Sequence, residues 1–273
     1  MRLKQVLAFV NNKGGVGKTT SVQNVSAGII RKDSEARVLC IDMDAQCNLS
    51  DQYGWEWQKA QLSDGDMKYS LAAALTDEDN GRIPIFKKSD RLYYTPASPE
   101  FENIEPILKS LDMPNQELGR VFGREVIDFS GDGIKLIQDF FDYVIIDCAP
   151  SLSCLTKNAL DVADGVVIPI MLDPLSIKGL VRIFNAIKKI NNTINPDLRV
   201  KGILQVRANN RTVLAKNLQL LLNEKYGSML LESSVRDCIR VKESQAFNKD
   251  IFEYAPDCTA AQDYARVVDE LID

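Results

Sequence analysis

Five short apolar runs, each bounded by turn residues, recur along the chain: VLAFV (6–10), RVLCID (37–42), YVIID (143–147), GVVIPI (165–170) and KGILQV (201–206). Runs of this length, rich in Val and Ile, are expected of strands buried on both faces, as in a parallel sheet. Between them the period changes. Val22, Val25 and Ile29 fall on one face of a helix, as do Leu180, Ile183, Ile187 and Ile190 within 175–191, the spacing of amphipathic helices. This alternation predicts an α/β fold with a mostly parallel central β-sheet and helices on both faces. The last helix, from Thr259 onward, groups Ala261, Tyr264, Ala265, Val268 and Leu271 on one side and ends in acids. Residues 55–90, with WEWQ, TDEDNGR and a turn at Ile83-Pro84, break the pattern and are expected to form an irregular surface excursion from a single domain spanning 1–273. About five residues precede the first strand, so no amino-terminal DNA-reading domain is expected.

Composition narrows the chemistry. With 45% hydrophobic and 26% charged residues the chain has the balance of a soluble globular protein. No apolar run has the length of a membrane span, and MRLKQVLAFVNN is too short and polar-ended for a signal peptide, so a cytoplasmic location is expected. The chain has no histidine, which removes Ser-His-Asp, Cys-His and histidine general-base chemistry; carboxylates, lysines, a metal ion or backbone dipoles must do any catalysis. The six cysteines contain no C-x-x-C pair and are expected to be reduced thiols. Net charge is −5, yet residues 199–249 hold ten bases against four acids, enough for a basic face on an otherwise acidic protein.

The candidate site is the glycine loop VNNKGGVGKTTSVQN, residues 10–24, which follows one predicted strand and opens a predicted helix. There, backbone N–H groups and the helix N-terminus both point at phosphate. The usual G-x-x-x-x-G-K-[ST] pattern is missed because Asn12 stands at its first glycine, while Gly17-Lys18-Thr19 is kept. Asn12, Lys13, Gly14, Gly15, Val16, Gly17, Lys18, Thr19 and Thr20 are the expected nucleotide cradle, with Lys18 on the β and γ phosphates and Thr19 on Mg²⁺. Asp147, ending YVIID, is the expected carboxylate behind that Mg²⁺. Asp42 and Asp44 end another strand at the crevice where open α/β sheets bind ligands. Asp44 is a candidate for orienting an attacking water, and also for capping a helix over AQCNLSDQY. Lys13, a second lysine in the same loop, is left without a role by the ordinary pattern.

These residues resemble the deviant Walker A family of P-loop ATPases and, within it, the ParA/Soj-type partition ATPases. KGGVGKTT (13–20), IDMDAQCNLS (41–50), FDYVIIDCAPSLSCLTKNAL (141–160) and ESQAFNKDIFEYAP (243–256) occur in family order across most of the chain. The resemblance implies ATP and Mg²⁺ as cofactors, ATP hydrolysis to ADP and phosphate, and a nucleotide-sandwich homodimer in which Lys13 reaches the partner's phosphates. Phosphoryl transfer is helped by a cation delivered in trans, so a lysine in that role is chemically reasonable. It further implies that Asp44 serves hydrolysis, that Asp42 and Asp147 serve Mg²⁺, and that Arg207 and Arg236 lie near the nucleotide base. Arg211 and Arg240 match positions associated with non-specific binding of double-stranded DNA, implying a nucleoid-associated protein working with a ParB-like centromere-binding adaptor. The sequence departs from the family at Cys47, where glycine is common, at Cys148-Ala149, where Thr-Pro is common, and at Arg236, where many relatives have proline. A MinD-like positioning ATPase would need a basic amphipathic carboxy-terminal helix, unlike the acidic end seen here, and no membrane partner is expected. A metal-cluster carrier would need bridging cysteines. A P-loop metabolic ligase would couple ATP to a small acceptor.

Overall fold

The computed structural model describes residues 2–55, 70–77, 79–208 and 212–272. Among the described residues nine strands form the sheet, in the order β5-β3-β4-β2-β6-β1-β7-β8-β9. They are β1 (Gln5–Phe9), β2 (Val38–Met43), β3 (Pro84–Ser89), β4 (Leu92–Thr95), β5 (Ile127–Asp128), β6 (Tyr143–Cys148), β7 (Gly165–Ile170), β8 (Arg199–Ala208) and β9 (Val235–Arg236). Every neighbouring pair is parallel except β3–β4. The five apolar runs are β1, β2, β6, β7 and β8, the uninterrupted middle of the sheet together with part of its right flank.

Two cores follow from the period-2 alternation of strand side chains. Val6, Ala8 and Val10 face one core, whereas Leu7 and Phe9 face the other. On the first face lie α3 (Leu71–Thr76), α4 (Ile104–Ser110), α5 (Glu117–Phe122), α6 (Ile137–Phe140), α7 (Cys154–Val162), α8 (Pro174–Thr193) and α9 (Val213–Tyr226). The second face is covered by α1 (Lys18–Lys32), α2 (Asn48–Gln52), α11 (Ile251–Tyr254) and α12 (Thr259–Ile272), with α10 (Ile239–Ala246) at the cavity mouth. Val22, Val25 and Ile29 of α1 and Leu180, Ile183, Ile187 and Ile190 of α8 are all buried. In α12 the buried face carries Ala261, Tyr264, Val268 and Leu271, but Ala265 is exposed and Val267 is inside.

The expectation of an irregular excursion over 55–90 is corrected where the structure describes it; 56–69 and 78 lie outside the described residues. Ser70 caps α3, its hydroxyl accepting from the Ala73 amide at 3.1 Å, and Leu71 and Leu75 are fully buried. Ile83 and Ile85 are core residues, and β3 is an internal strand of the sheet. The aromatic ring of Trp55 packs 4.6 Å from Phe86. These elements were obscured because LAAAL is too short to display a helical period and Pro84 opens β3, the strand position where a missing N–H is tolerated.

The carboxy-terminal segment is fastened to the helix that carries the glycine loop. A Cβ on Gly28 of α1 would stand 2.7 Å from Val268 Cγ2 and 3.3 Å from the Phe252 ring. Gly28→Leu is therefore expected to lose about 1–3 kcal/mol, overpacking outweighing the gain in helix propensity of about 1 kcal/mol. Thermal denaturation checks this, and an unchanged or raised Tm contradicts the close approach.

Candidate functional site

Parallel strands deliver their carboxyl ends to one edge, and the glycine loop leaves β1 there. Asn11 anchors its start: the side-chain amide donates to Pro169 O at 2.7 Å and the side-chain oxygen accepts from the Lys13 amide at 2.9 Å. Gly15 (φ 73°) and Gly17 (φ 77°) occupy the left-handed region that favours glycine. Gly17 then stands immediately before α1, so the first-turn amides face the loop's concavity. Asn12 lies against α8, its side-chain oxygen 3.0 Å from where a Cβ on Gly179 would stand.

The two lysines of the loop go to different places. Lys18 is 7% exposed and its ammonium donates to Lys13 O at 3.3 Å. Burial lowers its pKa, and Asp147, Cys148 and Asp44 only partly oppose this. Lys13 instead turns toward α8, where its ammonium meets Asp173 Oδ2 at 2.9 Å and Ser176 Oγ at 3.5 Å. Asp173 is already the cap of α8, accepting from the Leu175 and Ser176 amides. Burial works against its ionisation, but hydrogen bonds from Ser176 and Lys13 outweigh that and hold its carboxyl below the usual value.

The three aspartates also separate. Asp42 and Asp147 are direct neighbours across β2 and β6. Asp42 is satisfied within the protein: one oxygen accepts from the Ser50 amide (2.9 Å) and hydroxyl (2.7 Å), the other from the Asp44 amide (3.2 Å). Burial nevertheless pushes its pKa up to about 7. Asp147 is 1% exposed and neither carboxylate oxygen has a hydrogen-bond partner of ordinary geometry. Burial, then the Asp42 charge, raise its pKa, while Thr19 and Lys18 pull the other way. Leaving a buried acceptor unmade costs about 1–3 kcal/mol, more when charged, so Asp147 beside Thr19 is the group a hydrated Mg²⁺ fits. Among the described residues no three His, Cys, Asp or Glu side chains form a metal cage. Mg²⁺ needs none, since it keeps waters and takes phosphate oxygens with one or two carboxylates. As a direct metal ligand Asp42 fits less well than expected, because its oxygens are committed to Ser50 and Asp44.

Asp44 lines the cavity, but the expected helix cap is corrected. The helix starts later, at Asn48, after Cys47 in the left-handed region (φ 54°), and Asp44 Oδ1 accepts from the Gln46 amide at 3.1 Å. Cys47 thus holds a conformation that glycine adopts without strain.

A cavity of about 620 Å³ opens over the loop, floored by Gly14, Gly15, Gly17, Lys18, Thr19 and Thr20. Lys13 is not part of its lining. Arg207 and Arg236 form part of the opposite wall, Arg207 at φ 51° and paired with Asp237 at 3.4 Å. Arg236 forks onto buried Asp263, with Nε at 2.8 Å and Nη2 at 2.7 Å. Sequence reasoning missed Asp173, Asn11 and Gln245, whose side-chain amide donates to the Thr20 hydroxyl at 2.8 Å. Asp173-Pro174 was legible as a helix start, but its pairing with Lys13 depends on how α8 sits beside the loop. Arg211 lies outside the described residues; Arg240 is exposed on α10 and paired with Glu243 at 2.8 Å.

Strand order, a glycine loop between β1 and α1, and a buried lysine facing a buried aspartate define a P-loop nucleotide-binding protein. Residues 4–200 match the family described as AAA domain, and the chain belongs to that family. Within it the chain is a ParA/Soj-type partition ATPase relative: it is 28% identical over 268 residues to the chromosome-partitioning ATPase Soj of Thermus thermophilus, covering 97% of this chain and 94% of that one. Cobyrinic acid a,c-diamide synthase from Mycobacterium smegmatis, solved with ADP and magnesium, superposes with a TM-score of 0.74 at 25% identity, covering 98% of this chain and 93% of that one. A putative plasmid partition protein from Borrelia burgdorferi bound to AMPPNP gives a TM-score of 0.77 at 20% identity, covering 98% of each chain.

Proposed function

We propose that the protein is a DNA-partition ATPase in which MgATP draws two copies into a sandwich dimer that binds double-stranded DNA without sequence preference. Hydrolysis of ATP to ADP and phosphate, stimulated by a ParB-like centromere-binding adaptor, dissolves it. The observation that carries this reading is the divergence of the loop lysines: Lys18 enters its own cavity, while Lys13 reaches away from it to Asp173. A lysine not used at home is available to a second nucleotide. In this scheme the backbone amides of 14–20 and Lys18 bind the phosphates, and Thr19 and Asp147 would hold Mg²⁺, which would supply charge neutralisation for the transferring phosphoryl group. Asp44 orients the attacking water, and Arg207 and Arg236 border the base.

The DNA surface rests on the basic stretch 199–249. Arg207, Arg236, Arg240 and Lys249 are each paired with an acid. Lys216, Lys225 and Lys242 are exposed and have no ion pair among the described residues. Arg240→Glu sets two acids side by side on α10 and is expected to weaken binding on every sequence alike, reducing the salt slope by about 1. Arg211→Glu is expected to do the same. Loss confined to one sequence, or no loss with either variant, contradicts the surface.

The likeness to cobyrinic acid a,c-diamide synthase supplies a second reading, an ATP-dependent ligase. Phosphate release from MgATP separates the two. Partition predicts release stimulated by arbitrary duplex DNA plus the adaptor, with no small-molecule acceptor. Release that ignores DNA and waits for a carboxylic acid acceptor favours the ligase.

A further inference from the structure

Four of the six cysteines, Cys40, Cys47, Cys148 and Cys154, are buried, and burial pushes their thiols up. Cys238 and Cys258 are half-buried, and they are brought together by the segments that carry them: Arg236, two residues before Cys238, donates to the carbonyl of Thr259, the residue after Cys258. Cys238 stands immediately before α10 and lines the cavity. Cys258 stands immediately before α12, its sulfur accepting from the Ala261 amide at 3.4 Å.

Their juxtaposition is fixed from both sides. Arg236, at the end of β9, is forked onto Asp263 of α12, and its Nη2 also reaches Thr259 O at 3.4 Å. The Arg236 amide donates to the same Asp263 carboxylate at 3.0 Å. The chain leading into Cys238 is thereby tied to the first turns of the helix that Cys258 precedes.

We propose that Cys238 and Cys258 form an oxidisable dithiol that closes into a disulfide on the cavity wall when it meets hydrogen peroxide, Cys238 attacking and Cys258 resolving. The assignment of roles follows from their surroundings. Burial opposes ionisation of Cys238, but the Arg240 amide, the Thr259 hydroxyl, the Ala260 amide and the Cys258 thiol outweigh it, and the thiol sits below its ordinary value. Burial raises Cys258. The thiolate is the nucleophilic form, and Cys238 lines the open cavity, where peroxide reaches it, whereas Cys258 is not part of that lining. The Cys238 sulfur attacks one peroxide oxygen, the O–O bond breaks, and the departing hydroxide takes a proton to leave as water, giving a sulfenic acid. The Cys258 sulfur then displaces the sulfenic hydroxyl, which leaves as a second water with the Cys258 proton. Two electrons pass from the thiol pair to peroxide, and the rim of the cavity becomes covalently joined to α12 whether or not a nucleotide is present.

The test uses the full chain without nucleotide. After brief exposure to a small excess of hydrogen peroxide and quenching with iodoacetamide, thiols are counted in denaturant and peptides mapped without reduction. The expected result is a fall from six thiols to four, a single linked peptide pair joining Cys238 to Cys258, and full recovery with dithiothreitol. In Cys258→Ser, dimedone should trap a sulfenic acid at Cys238 and no link should form. Dimedone capture first at any other cysteine, a link between other partners, or retention of all thiols overturns the proposal.

Discussion

Lys18→Ala is expected to lose nucleotide binding, whereas Lys13→Ala is expected to leave binding by the monomer close to that of the unmodified protein and to remove the proposed ATP-dependent dimerisation and hydrolysis. Lys18 is buried, and among the described residues its ammonium has the Lys13 carbonyl, at 3.3 Å, as its hydrogen-bond partner. Truncating one member of a buried, hydrogen-bonded charge pair costs about 2–5 kcal/mol, roughly 30-fold to several thousand-fold in affinity. Lys13 is joined to Asp173 and does not line the cavity, so its removal takes nothing from phosphates bound in the same subunit. On the proposed dimer it removes a cation supplied in trans, a contribution of about 10³–10⁵ in rate where an arginine plays that part. Equilibrium nucleotide titration together with sedimentation of each variant with and without MgATP checks both halves. An equal loss of nucleotide affinity in the two variants contradicts the division of labour.

Asp44→Ala is expected to bind MgATP and to dimerise but to hydrolyse slowly, by about 10²–10⁴-fold, the range spanned by a positioned acid–base group. Asp44 lines the cavity and, among the described residues, its side chain holds the Gln46 amide. Its loss therefore leaves Lys18, Thr19 and Asp147 in place. Asp147→Asn is expected to differ: it changes the unpartnered buried carboxylate and should weaken the Mg²⁺ dependence of nucleotide binding. Single-turnover phosphate release, with nucleotide binding measured across a magnesium series, distinguishes them. If Asp44→Ala fails to bind MgATP, Asp44 belongs to metal binding or folding and not to the attacking water.

The centre of this molecule was legible because each of its strands is buried on both faces and writes itself as an unbroken apolar run. The same holds for α1 and α8, whose apolar positions repeat at helical spacing. At the sheet margins the signal fades: β3 begins at Pro84, and its later residues are exposed; β5 and β9 are two-residue strands. Helix α3 shows only LAAAL, too short to display a period. The position of the glycine loop between β1 and α1, and that of Asp147 near the end of β6, were readable from the sequence. The engagement of Asp42 by Ser50, the turn of Lys13 onto Asp173 and the meeting of Cys238 with Cys258 were not. Each joins residues that only the tertiary fold brings together. Cys47 shows the opposite case, a departure from a common glycine that acquires meaning only with its φ of 54°.

The central claim, that ATP creates a DNA-binding dimer, is tested most directly by equilibrium binding of the Asp44→Ala protein to unrelated duplexes of equal length. Each is titrated with MgATP, with MgADP and without nucleotide across a range of salt. Blocked hydrolysis keeps the dimer filled during the measurement. The account predicts affinity only with MgATP, equal for all sequences, with log affinity falling linearly against log salt by roughly 0.9 per phosphate neutralised. Affinity that ignores nucleotide, or a marked preference for one duplex, would contradict it.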